Sequence, residues 1–129
     1  MAVELQMLAW SIALGLVQIV IQSSMGTLQR GLKWNTGARD GVPKPLDGPA
    51  ARAERALKNF LETFPLFAAA ALAVVVAQKT SAHTAPGAQL YFWSRVAYVP
   101  AYVAGIAYVR TLIWGVSVAG LVMVLSALF

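Results

Sequence analysis

Residues 53–78 read AERALKNFLETFPLFAAAALAVVVAQ, and this stretch decides the fold. At a rise of about 1.5 Å per residue, one helix of this length crosses the ~30 Å hydrocarbon core of a bilayer. Its second half is almost wholly apolar. Its first half carries Arg55, Asn59 and Glu62, spaced four and three apart, so the three share one helical face. Ionisable groups are costly in hydrocarbon and rarely occur there without a partner or a function. A second row answers the first: residues 91–115 read YFWSRVAYVPAYVAGIAYVRTLIWG, with Arg95, Tyr98 and Tyr102 spaced three and four apart.

The rest of the chain fits the same reading. Of its 129 residues, 59% are hydrophobic and 12% charged, and its mean hydropathy of +0.67 points to a membrane protein rather than a soluble domain. Four spans fit, at about 5–28, 53–78, 88–108 and 111–129, which predicts an all-α integral membrane four-helix bundle forming one domain over 1–129. The N-terminal run has Glu4 where a signal peptide has basic residues, and it is long enough to span. It therefore reads as a span rather than a cleavable leader. A stripe of Ser11, Gly15, Gln18, Gln22 and Met25 gives that span a small, polar face, expected to point inward. Pro65 and Pro100 free the carbonyls of Leu61 and Val96, which reads either as a packing kink or as a defect serving the polar rows.

A net charge of +5 would suggest nucleic acid in a soluble protein. Here no interleaved basic and aromatic groove supports that partner, and the positive charges cluster near span ends. The connection 29–49 is rich in glycine and proline and reads as a loop. It carries Arg30, Lys33, Arg39 and Lys44 against Asp40 and Asp47. The positive-inside rule places this connection, and a tight turn around 105–110, on the cytoplasmic side, with both termini outside. No cysteine and a single His83 leave no thiolate and no histidine cluster for a metal.

If consecutive spans are antiparallel, equal offsets bring the two rows into register. Glu62 comes level with Arg95, Asn59 with Tyr98, and Arg55 with Tyr102. Glu62 and Arg95 would neutralise each other near mid-membrane, and the remaining groups would line a cavity facing the cytoplasmic side. Guanidinium groups there suit a ligand with carboxylates, and an opening to lipid admits an apolar second substrate. A structural account stays open: the Glu–Arg pair fixes register, the tyrosines are hydrogen-bonded core, and Arg52, Arg55 and Lys58 snorkel, a reading that suits Arg55 least because it shares the face of Asn59 and Glu62.

Glu54-Arg55, Asn59, Glu62 and Phe64-Pro65-Leu66-Phe67, followed by Arg95, Tyr98 and Tyr102, resemble the MAPEG family, the membrane-associated proteins in eicosanoid and glutathione metabolism. Residues 91–115 look like its bacterial branch. The resemblance implies a homotrimer of left-handed four-helix bundles in a bacterial inner membrane. It implies glutathione as co-substrate, bound between subunits on the cytoplasmic side. The positions it implies for the tripeptide are Arg55, Asn59, Glu62, Tyr98 and Tyr102, with Arg95 in the same motif and Arg30 and Arg52 as further basic positions. It implies Arg110 as the thiol-activating arginine. Thr63 stands where leukotriene-forming members have tyrosine, which argues against a specialised leukotriene C4 synthase. The implied function is a glutathione transferase or peroxidase acting on lipophilic electrophiles or hydroperoxides from the surrounding membrane lipids. A non-catalytic lipid- or glutathione-binding protein is the alternative. A transporter fits least, because no inverted repeat is present.

Overall fold

The computed structural model describes residues 1–129 and is helical throughout. Four long helices, α1 (Val3–Arg30), α3 (Gly48–Val76), α4 (Thr84–Val103) and α5 (Ala107–Ser126), are accompanied by one short helix, α2 (Leu32–Thr36). α1, α3 and α5 are each long and apolar enough to cross a membrane. α4 has the length of α5 but is more polar, because it carries Gln89, Ser94, Arg95 and three tyrosines. Most of that polarity faces inward: Tyr91, Ser94, Arg95 and Tyr98 are buried at helical spacing.

α1 packs on α3 and α4, α3 also touches α5, and α4 and α5 form the closest pair. Glycine explains that closeness. A Cβ on Gly87 would lie 2.8 Å from the carbonyl oxygen of Gly120, and one on Gly120 would lie 2.5 Å from that of Gly87. The two backbones touch, as small residues allow between membrane helices. The apolar core lies at the end of the molecule where α1 and α4 begin, around Met7, Leu8, Phe67, Ala71, Tyr91 and Val124. Phe67 stacks on Tyr91 with centroids 4.1 Å apart. The stripe on α1 points inward at Ser11, Gly15 and Gln18, with Gln22 and Met25 half-buried. Gly15 leaves room for the Phe60 ring, which an added Cβ would approach to 3.1 Å.

A polar tie closes the core end. Thr84 Oγ1 donates to Glu4 Oε1 at 2.7 Å across 80 residues of sequence, with both residues buried. Ser81 N donates to Thr84 Oγ1, so the hydroxyl links a turn of backbone to the carboxylate. Thr84→Val removes the only side-chain donor to a buried carboxylate. We expect it to lower the unfolding free energy by about 1–3 kcal/mol, read as a fall in the thermal midpoint in detergent. An unchanged midpoint would show that the tie contributes nothing.

Several boundaries differ from the sequence expectation. The connection 29–49 is not all loop: α1 runs to Arg30, α2 follows, and α3 already starts at Gly48. Gly31, at φ 92°, separates α1 from α2. Pro49 sits in the first turn of α3, where its missing N–H costs no hydrogen bond. The third span, expected at 88–108, lies four to five residues earlier, because Gly105 at φ 80° ends the turn after α4. Arg110 therefore stands in the first turn of α5 rather than in a tight turn. Both α3 and α4 continue through their prolines, Pro65 and Pro100.

Candidate functional site

The end opposite the core gathers the close of α1, the start of α3, the close of α4 and the start of α5. Every basic residue except Lys79 and Arg95 lies there. A pocket of about 270 Å³ opens between α3, α4 and α5, lined by Asn59, Tyr98, Tyr102, Arg110, Thr111 and Trp114. The spacing explains the set. Tyr98 and Tyr102 are one turn apart on α4, and Arg110 and Trp114 one turn apart on α5. Thr111 and Trp114 were not among the expected positions. They become readable once Arg110 is placed inside a helix.

Arg55 Nε donates to the Tyr102 hydroxyl at 3.2 Å, so the predicted level of these two residues holds. The Arg55 guanidinium lies 5.9 Å from the Tyr102 ring centroid and that of Arg110 lies 4.6 Å from it. Two cations therefore flank one aromatic ring, which attracts both through its π face. Arg110 spends none of its N–H donors on a hydrogen bond within the chain, so all five are free to bind a ligand. Arg52 is occupied differently: its Nε donates to the Val103 carbonyl at 2.7 Å, satisfying an end-of-helix acceptor on α4.

The expected Glu62–Arg95 pair does not form. Arg95 Nη1 donates instead to Asn59 Oδ1 at 2.9 Å, and its Nε and Nη2 have no partner. Glu62 is exposed, in a shallow groove on the α1 side of α3 with Gln22, Glu54 and Lys58. Helix geometry gives the reason. Phe60 takes the inward position of α3 at 1% exposure. Glu62 follows two residues later, about 200° around the helix, and so points away. Asn59 is only about 100° from Phe60 and stays beside the α4 face. Equal offsets set the depth of the rows but not their rotation.

Arg95 itself is 1% exposed. Its guanidinium packs 4.3 Å from the Tyr98 ring centroid and 5.7 Å from that of Phe60. It lies behind the pocket wall and positions Asn59 and Tyr98. Asn59 lines the pocket, and with Oδ1 taken by Arg95 its Nδ2 donor has no partner within the chain. Thr63 bonds the Tyr91 hydroxyl at 3.0 Å, away from the pocket. Arg30, the last residue of α1, lines a separate small cavity, with Nε donating to the Lys44 carbonyl at 2.7 Å. The structure thus brings together Asn59, Tyr98, Tyr102 and Arg110, with Arg55 at the rim. It sets Arg52 and Arg95 at the edges, and Glu62 and Arg30 elsewhere.

The corrected pairing has a direct check. Glu62→Gln removes an exposed charge with no partner within the chain, so thermal unfolding of the purified protein without glutathione should move by no more than about 0.5 kcal/mol. Breaking a buried ion pair costs about 3–5 kcal/mol, and a loss of that size would restore the Glu62–Arg95 pairing.

No curated protein matches the chain, and no solved structure does. A model of the MAPEG family matches residues 7–129, nearly the whole length. The all-helical fold, the three membrane-length helices and the polar rows on α3 and α4 agree with that match, and the chain belongs to the MAPEG family, which includes glutathione transferases and peroxidases.

Proposed function

We propose that the protein is a membrane-embedded, glutathione-dependent transferase or peroxidase acting on lipophilic electrophiles or hydroperoxides. In this reading residues 1–129 form one four-span domain, in which α4 crosses the membrane with its polar face turned inward. Three copies assemble, and the basic end faces the cytoplasm. The observation that carries the reading is Arg110, a guanidinium without hydrogen bonds inside the chain, in a pocket with Asn59, Tyr98 and Tyr102.

The size of the pocket supports a shared site. A volume of about 270 Å³ falls just below the ~300–1,000 Å³ of pockets that enclose a drug-sized ligand. One chain therefore holds part of a tripeptide, and a neighbouring subunit would complete the enclosure. The groove bearing Glu54, Lys58 and Glu62 is uncovered in the single chain, and in an assembly it is the surface available to a neighbour's pocket. Glu62 then joins the site from across the subunit boundary.

The chemistry follows from charge. A free thiol has a pKa of about 8.5 and is mostly protonated at neutral pH. A guanidinium beside the sulfur stabilises the thiolate, and the thiol proton passes to water. In transfer, the thiolate forms a carbon–sulfur bond and the electron pair of the broken bond leaves with the departing group. In peroxide reduction, sulfur takes the terminal oxygen, the O–O bond breaks and the alcohol leaves. A second glutathione then reduces the sulfenic acid, giving the disulfide and water. Arg110 stabilises the thiolate. Asn59 Nδ2 and Arg55 bind carboxylate or carbonyl oxygens, with Tyr98 and Tyr102 orienting the peptide. Arg52 and Arg95 support the site from its edges, while Arg30 stands apart from it. An apolar groove along α4 and α5, with Leu90, Trp93, Ile113 and Val116, reaches Ala97 beside Tyr98 and offers the lipophilic partner an approach.

Calorimetric titration of glutathione into the detergent-solubilised protein tests the binding half. We expect binding in the micromolar-to-millimolar range, weakened about tenfold in Asn59→Ala, in line with loss of a hydrogen bond to a charged group. No heat of binding would reject the reading. Binding without turnover of any electrophile would favour the non-catalytic alternative.

A further inference from the structure

Beyond the α1 face turned away from the Arg110 pocket lies a second polar cavity, of about 120 Å³, at the foot of α1. Ser23, Thr27 and Arg30 line it from α1, Trp34 and Asn35 from α2, and Arg39 from the loop that follows. No carboxylate lines it. Glu54 accepts a long contact of 3.5 Å from Gln22 Nε2 on the α3 side, and Asp40 is exposed outside the cavity. Arg39 is held in place by Asn35: its Nε and Nη2 donate to the Asn35 carbonyl, and Nη2 also donates to Asn35 Oδ1 at 2.7 Å. Its Nη1 has no partner within the chain. Arg30 is held through Nε, which leaves both of its terminal nitrogens free. Two fixed guanidinium groups thus hold unspent donors around a space that also offers the Ser23 hydroxyl and the Asn35 amide, the Thr27 hydroxyl being spent on the Ser23 carbonyl. The close of α1 contributes about half a negative charge, which two guanidinium charges outweigh.

We infer that this cavity binds the phosphate of an anionic phospholipid, a function separate from the glutathione reading and not resting on it. Volume and placement select the ligand. About 120 Å³ equals roughly four water volumes of ~30 Å³, enough for a tetrahedral phosphate group and too little for a tripeptide. The cavity also sits where a headgroup would. Ser23 and Thr27 continue a stripe on α1 that runs back through Val20, Ile19, Leu16 and Ile12, all exposed. A lipid with its phosphate between Arg30 and Arg39 would lay its acyl chains along this stripe. Leu28 and Leu32, on the same two helices, are also exposed. A free phosphate would make no use of that apolar track, so the amphipathic ligand is the better fit. Basic residues at the cytoplasmic end of a span attract anionic lipids for the same electrostatic reason.

Native mass spectrometry of the full-length protein, exchanged into an equal mixture of chain-matched phosphatidylglycerol and phosphatidylcholine, tests the inference. Both lipids carry the phosphate, but phosphatidylcholine brings a cation beside two guanidinium groups with no carboxylate to receive it, so phosphatidylglycerol should be retained in about tenfold excess. Arg30→Gln and Arg39→Gln should each reduce that excess, while Lys79→Gln, an equal loss of charge at the opposite end, should not. Inorganic phosphate and glutathione, each in large excess over lipid, should leave the lipid bound. Retention near parity in the wild-type protein would overturn the inference without reference to any variant. An equal effect of Lys79→Gln would overturn it in favour of diffuse attraction. Displacement by inorganic phosphate would overturn it in favour of a free-anion site, and displacement by glutathione would return Arg30 to the peptide site.

Discussion

Arg110→Ala is expected to lower kcat/KM for glutathione-dependent turnover by about 100-fold while glutathione affinity changes much less. The split follows from what each group does. Asn59, Arg55 and the tyrosines hold the peptide in ground and transition state alike, and their loss weakens binding. The guanidinium of Arg110 acts on charge that resides on sulfur, and removing one preorganised donor to a reacting anion typically costs about 2.7–4 kcal/mol of barrier. Arg110 also has no structural duty that alanine would disrupt, since its side chain makes no hydrogen bond within the chain and packs on the face of the Tyr102 ring. Its loss should therefore leave the protein folded. Steady-state kinetics with a lipophilic aryl halide, alongside calorimetry, separates the two effects. A variant that loses binding and turnover equally would make Arg110 a peptide anchor. One with full activity would remove it from the chemistry.

The second large effect is structural. Gly120→Ala should destabilise the chain by about 3 kcal/mol, the upper part of the range for overpacking. The added Cβ would lie 2.5 Å from the Gly87 carbonyl oxygen and 2.8 Å from Tyr91 N. Both atoms are backbone, so no rotamer change relieves the clash and α4 must move off α5. That motion also spreads the pocket, whose walls are Tyr98 and Tyr102 on α4 and Arg110 and Trp114 on α5. Activity should fall with stability. Gly115→Ala on the same helix is the control: a Cβ there meets nothing within 4 Å, and alanine has the better helix propensity, so stability should hold or rise. Thermal melts of the two variants in one detergent decide the matter. Equal midpoints would mean that α4 and α5 are not in backbone contact.

The sequence made depth legible and rotation obscure. Residue spacing placed Arg55 level with Tyr102, and they bond. The same spacing set Glu62 opposite Arg95, but Phe60 takes the inward position on α3 and turns Glu62 outward. Spacing within a polar row says which residues share a face, while the largest apolar neighbour decides where that face points. The turn around 105–110 was legible, but the end of α4 was not, because residues 103–109 read VAGIAYV, apolar throughout, and hydropathy marks no edge there. Only the left-handed backbone of Gly105 does. That shift moved Arg110 into a helix and brought Thr111 and Trp114 to the pocket. The Glu4–Thr84 tie had no local signal, since its partners are 80 residues apart. The inward stripe of Ser11, Gly15 and Gln18 was readable because small and polar residues recur there at helical period.

Rapid mixing of the purified protein with glutathione, followed in the ultraviolet absorbance of the thiolate, decides whether Arg110 stabilises glutathione as a thiolate. Thiolate absorbance should rise at neutral pH in the wild-type protein, stoichiometric with bound glutathione, and be lost in Arg110→Ala at saturating glutathione. A wild-type protein that binds glutathione with no thiolate signal, or an Arg110→Ala variant with an undiminished one, would contradict that role.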